Sequence, residues 1–151
     1  MGPSKEMLAS SGYLLKRLGF EIKGRAYAAL EATDFTPQHH AILSLLDERA
    51  CGAQGGIADA LGYDRSQLVG LLDELETKGL VERKRDPDDR RRHVVKLTAE
   101  GKEALSELRA ISKAIDTVFF APLDAVERKA LHALLFRLAS HHDPRLDPPT
   151  R

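Results

Sequence analysis

Arg83, Arg85, Arg90, Arg91 and Arg92 crowd one short stretch together with Asp89, and Arg65-Ser66-Gln67 lies a little upstream. Guanidinium groups stay charged and present five donors in a planar fork, so they recognise phosphates and base edges rather than move protons. Between Lys78 and Lys96 there are eight basic residues against four acidic ones, a net charge of +4. The whole chain balances 23 Lys and Arg against 23 Asp and Glu, so the remainder carries −4 and the neutral total hides a cationic patch. A concentrated patch of this kind suits a polyanion. Bond-making chemistry finds no support, because Ser/His/Asp, Cys/His and phosphate-loop spacings are missing. The Asp88-Asp89 pair sits beside arginines that keep both carboxylates ionised, which argues against an enzyme.

These side chains need a helix and a ribbon to carry them. Leu68, Leu71, Leu72 and Leu75 recur at i, i+3, i+4 and i+7 and predict one buried helical stripe, with small or polar residues opposite. Asp64 precedes the stripe with Gln67 three residues on, a capping-box pattern that starts the helix near Arg65. Gly79 after Lys78 supplies a left-handed stop, with Leu80 placed to pack back on Leu75. The period then changes. Residues 80–85 and the β-branched run His93-Val94-Val95-Lys96-Leu97 predict two strands joined by a polar tip, Asp86-Pro87-Asp88-Asp89.

The same stretch resembles the MarR-type transcriptional regulators. The pattern LxxKGLVER from Leu75 to Arg83, the wing motif Asp89-Arg90-Arg91, the second strand Val95-Lys96-Leu97-Thr98 and the following Glu100-Gly101 carry the resemblance, which extends more weakly to both ends. It implies a winged helix-turn-helix core in which Arg91 enters the minor groove of double-stranded DNA. Asp89 would hold Arg91 by a charge-assisted hydrogen bond. The start of the reading helix would enter the major groove, where Gln67 suits adenine and Arg65 suits guanine or phosphate, with Ser66 beside them. Gln67 has a second assignment as the closing half of the capping box. Arg83, Arg85, Arg90 and Arg92 are assigned to phosphates, supplying affinity and salt dependence.

The rest of the chain reads as helices, so the expected fold class is mainly α with a small β-hairpin wing. A single domain of 151 residues is expected. Its core would span about 36–98, with long dimerisation helices over about 5–31 and 99–142 and a disordered tail over 143–151. Gly12, Gly19 and Gly24 weaken the first helix, which therefore needs tertiary or partner contacts. Thr36-Pro37 opens the next helix; Gly52, Gly55 and Gly56 break it, and Ile57–Leu61 with Gly62 completes the helix-turn-helix pair. Thr98 and the pair Asp124 and Glu127 cap the two C-terminal helices. The terminal helices carry more apolar stripe than the small core can cover, which predicts a homodimer on a near-palindromic operator.

The resemblance also implies a small aromatic or phenolic effector in a crevice beside the dimer helices, with Tyr27, Phe35, His39 and His40 as candidates. No cofactor and no metal are expected. The adjacent pairs His39-His40 and His141-His142, with His132, are badly spaced for zinc. Cys51 is the one cysteine, which excludes a disulfide framework and disfavours a redox sensor. No apolar run approaches the roughly 20 residues of a membrane span, and no signal sequence is recognised, so a cytoplasmic protein is expected. The alternatives are a winged-helix protein-interaction module and a metal- or redox-responsive regulator of the same fold.

Overall fold

The computed structural model describes residues 1–49 and 52–146, so Cys51 and the end of the tail lie outside the described residues. The elements run α1 (Lys5–Ala9), α2 (Ser11–Leu30), α3 (Pro37–Arg49), β1 (Gly52–Ala53), α4 (Gln54–Leu61), α5 (Arg65–Thr77), β2 (Val81–Arg85), β3 (His93–Leu97), α6 (Ala99–Phe119) and α7 (Ala125–His142). Two compact units emerge, Met1–Ile115 and the part from Asp116 onward, with α6 running through the boundary.

The first unit is built on the expected stripe. Leu68, Leu72 and Leu75 of α5 are fully buried, while Leu71 is half-buried at the edge of the same face. They pack with Ile42, Leu43 and Leu46 of α3, Ile57 of α4, Val81 and Val95 of the wing strands, and Leu105 and Leu108 of α6. Each such side chain contributes about 1.5–3 kcal/mol on burial, so this cluster is what seats α5. The opposite face of α5, including Val69 and Gly70, is left to solvent.

The helix ends as its sequence requires. Gly79 takes φ +72°, the Leu80 N–H donates to the Leu75 carbonyl at 2.9 Å, and the Gly79 N–H donates to the Glu76 carbonyl at 2.9 Å, which is the full Schellman pattern. The chain turns directly into β2, which pairs antiparallel with β3 in the register Val81↔Leu97 through Arg85↔His93. Thr98 closes the excursion. Its hydroxyl donates to the Gly79 carbonyl at 2.7 Å and accepts the Gly101 N–H at 3.0 Å, capping α6 and tying its start to the end of α5.

Four details depart from the sequence reading. The first helix is two, because Ser4 and Ser10 each accept an N–H three residues on, from Met7 and Tyr13, and Ser10 leaves helical geometry to do so. Gly52–Ala53 is not a simple break; it adds a third strand, Gly52↔Val95 and Ala53↔Val94, to the open edge of β3. Gly55 and Gly56 then lie inside the first turn of α4. Lastly, 143–146 was expected in a disordered tail, but Pro144–Leu146 forms a 3₁₀ turn and the Arg145 guanidinium forks onto the carboxylate of Asp143 just before it, both bonds 2.7 Å.

The second unit contains α7, whose start is a complete capping box. Asp124 accepts the Glu127 N–H at 2.8 Å and Glu127 accepts the Asp124 N–H at 2.9 Å. Val126, Leu134, Phe136 and Leu138 of this helix are exposed. In the first unit, Leu8, Leu14, Leu15, Leu18 and Phe20 of α1 and α2 are exposed as well. No helix among the described residues is long and apolar enough to cross a membrane.

Candidate nucleic-acid interface

The start of α5 is shaped by Asp64. Its Oδ1 accepts the Gln67 N–H at 2.7 Å and the Ser66 hydroxyl at 2.6 Å, and these bonds, the hydroxyl first, hold the Asp64 carboxyl below its ordinary range. Asp64 therefore stays ionised. The Ser66 proton is committed to Asp64, so a Ser66 bond to phosphate would have to break a contact already made. The reciprocal half of the box is not formed, and the exposed Gln67 amide makes no return bond to the Asp64 backbone. Arg65 and Gln67 thus extend from a fixed first turn.

The wing tip is built by carboxylates acting on main chain. Asp86 Oδ1 accepts the Asp88 N–H at 2.9 Å, Asp89 Oδ1 accepts the Arg91 N–H at 3.0 Å, and the Asp86 N–H donates to the Arg92 carbonyl at 2.9 Å. This corrects the role given to Asp89: it holds the backbone of Arg91 and not its guanidinium. The side chains of Arg85, Arg90, Arg91 and Arg92 stay exposed.

Arg65, Arg91 and Arg92 line one open groove of about 450 Å³ together with Gln54, Gly56, His93 and a single carboxylate, Asp59. The reading helix and the wing tip thus share one basic concavity. Gly55 and Gly56, read in the sequence as helix breakers, and Gln54 beside them are further functional candidates. Ala53 offers α4 no side-chain cap, and the first turn of α4 lines the groove, a position that favours anions. The signal was present as two glycines immediately before the apolar run Ile57–Leu61.

Arg83 is placed differently from the other arginines. Its backbone N–H donates to Glu76 Oε1 at 3.2 Å, its Nε donates to Glu76 Oε2 at 2.9 Å, and its terminal nitrogen reaches both Glu76 and Asp73. These bonds lower the Glu76 carboxyl and raise the Arg83 guanidinium from their ordinary values. A guanidinium assigned to phosphate in the sequence is here engaged with α5.

The four effector candidates do not line a single pocket. Tyr27 is exposed and accepts a bond from Gln38 Nε2 at 3.0 Å. Phe35 lines a recess of about 460 Å³ with Leu80, Leu108 and Ile111, and the Lys78 ammonium stands 5.8 Å from its ring centre. His40 lines a much smaller, apolar recess of about 50 Å³ with Leu30, Ile111 and Ser112. Burial, and then Arg109, push its imidazole below the usual value.

His39 is a core residue at 1% exposure, edge-on to Phe35. Its Nδ1 accepts the Thr36 N–H at 3.1 Å, which places the proton on Nε2, 2.9 Å from Glu74 Oε2 but without the alignment of a hydrogen bond. Burial lowers its pKa more than Glu74 raises it. The folded chain therefore binds fewer protons here than the unfolded chain, and stability falls as pH drops below about 6.5, the unfolded value. His39→Asn keeps an acceptor for Thr36 and is expected to flatten this fall, leaving the part due to His40. Urea midpoints across a pH series measure it; an unchanged slope would place the proton elsewhere.

Among the described residues no group of three or more His, Cys, Asp or Glu is placed to hold a metal ion.

Comparison with known proteins places the chain among transcriptional regulators. A Thauera aromatica protein assigned to transcriptional regulation of the hcr operon is 31% identical, covering 84% of this chain and 81% of that one. CouR of Rhodococcus jostii RHA1, solved with p-coumaroyl-CoA, is 32% identical with a TM-score of 0.78 over 98% of this chain and 99% of that chain. CouR bound to a 23-mer DNA duplex is 30% identical with a TM-score of 0.84, over 92% of this chain and 99% of that chain. The MarR family profile matches residues 33–92, from the turn before α3 through the wing tip. The chain belongs to the MarR family of transcriptional regulators.

Proposed function

We propose that this chain is a homodimeric, ligand-responsive repressor that acts in the cytoplasm by binding, without catalysis. The observation that carries the reading is the convergence of Arg65, Arg91 and Arg92 on one open groove beside the exposed face of α5. The start of α5 lies in the major groove, where Arg65 and Gln67 reach base edges. Arg91 enters the adjoining minor groove, where the narrow phosphate walls focus negative potential on a guanidinium. Arg85, Arg90 and Arg92, with the first turn of α4, hold phosphates.

The exposed apolar side chains of α1 and α2, and separately those of α7, support a second copy as partner. A twofold pair sets the two reading helices about 34–36 Å apart, one turn of the duplex. The effector is an aromatic acid or its thioester, a class supported by the p-coumaroyl-CoA complex of CouR. It is taken in the recesses that Phe35 and His40 line, and it releases the operator by favouring another spacing of the reading helices.

Binding-site selection with the purified chain, followed by titration at two salt concentrations, tests the reading. Paired half-sites one turn apart and a complex that weakens steeply with salt are expected, each phosphate contact adding about 0.9 to the logarithmic slope. A complex that vanishes under nonspecific competitor DNA would instead favour a protein-interaction module.

A further inference from the structure

Arg83 offers an inference that rests on the DNA reading above. It sits in β2, and Asp73 and Glu76 are three apart on one face of α5, so a single guanidinium spans the root of the wing and the C-terminal half of the reading helix. In sequence the two elements are joined by the short connection Lys78-Gly79-Leu80, and the base of the wing shares the core with α5 through Val81 and Val95. Arg83 is 20% exposed, whereas its partners Asp73 and Glu76 are 57% and 39% exposed. A phosphate approaching this place meets two carboxylates and one guanidinium already shared between them. The local charge is negative, which suits a strut and repels a polyanion.

We infer that Arg83 is a positioning residue that fixes the angle of the wing to α5, so that Arg91 and the α5 start engage adjacent grooves together. The free ends of the two elements carry the recognition, and the fork lies nearer their common root. A small rotation at the root is amplified at the tip. Loss of the fork therefore acts through Arg91.

The test uses the full-length protein and its selected operator duplex, with fluorescence anisotropy at several salt concentrations. Arg83→Met keeps the aliphatic stem and removes the fork. Operator affinity is expected to fall about fivefold with an unchanged salt slope. The cost of Arg91→Ala is expected to shrink from about tenfold in the native background to about twofold, since residues acting as a unit are not additive. Glu76→Gln provides a second variant that retains the Arg83 charge. It removes a carboxylate, so simple electrostatics predicts tighter binding, whereas the strut predicts weaker binding and the same loss of Arg91 coupling. Exchange of the pair, Glu76→Arg with Arg83→Glu, should restore part of the affinity.

A salt slope reduced by about one contact, with the full Arg91 cost retained, would make Arg83 a phosphate ligand and overturn the inference. So would Glu76→Gln binding more tightly. Failure of the native chain to bind any selected duplex is a different result, since it removes the DNA reading and this inference together.

Discussion

Replacing Arg91 with alanine is expected to cost roughly 1–3 kcal/mol of operator affinity at fixed salt while leaving thermal stability within about 0.5 kcal/mol. The two halves of this expectation have separate causes. The Arg91 side chain is exposed at the wing tip and lines the basic groove, so its loss removes a contact to DNA. What Arg91 gives the fold is its main-chain N–H, which donates to Asp89 and survives in alanine. Titration of a labelled operator gives the first quantity and calorimetry the second. Unchanged affinity would remove Arg91 from the interface, and a large drop in melting temperature would make it a structural residue.

Gly101→Ala has the largest expected effect on stability, and its sign runs against helix propensity. Within a helix alanine is better than glycine by about 1 kcal/mol. Here an added Cβ would lie 2.1 Å from the Leu80 carbonyl oxygen and 2.7 Å from Leu97 Cδ1. The carbonyl cannot easily retreat, because Leu80 O accepts the Thr98 N–H at 3.1 Å and the Gly79 carbonyl beside it accepts the Thr98 hydroxyl. The overlap therefore has to be relieved by moving the start of α6, at a cost of about 3 kcal/mol. A lowered urea midpoint with an unchanged m-value is the expected measurement. A raised midpoint would mean that α6 shifts freely.

What could be read in advance was set by local chemistry. The limits of α5 follow from Asp64, the leucine spacing and Gly79, all within one helix and its caps, and they agree with the structure to within a residue. The wing was legible for the same reason, since alternation and a Pro-Asp tip are neighbours in sequence. The pieces that escaped depend on distant partners. Gly52–Ala53 has nothing strand-like in its two residues and becomes a strand only because Val94 and Val95 present an open edge. Ser10 interrupts an otherwise helical pattern by capping, a choice that spacing alone does not separate from a continuous helix.

The arginines divide on the same line. Sequence assigns Arg83 to phosphate together with Arg85, Arg90 and Arg92, because charge is visible and partners are not. Arg83 differs from Arg85 only in that two carboxylates of α5 lie within its reach, a fact of packing. Asp89 likewise reads as a partner for a charge, whereas the turn geometry spends it on an amide two residues on. The effector candidates divide as well. Phe35, His39 and His40 are close in the chain, yet His39 turns into the core while Phe35 and His40 line two recesses that share Leu108 and Ile111.

The Thr98 closure reaches beyond stability. With its hydroxyl on Gly79 and its N–H on Leu80, the wing leaves and rejoins the helical body at one point, like a stem closed by a clasp. For the helical body, lengthening the tip between Asp86 and Arg92 then costs little beyond loop entropy, about 0.6 kcal/mol for each doubling. Evolution can revise how far the fingertip reaches along a minor groove without renegotiating the helices that hold it.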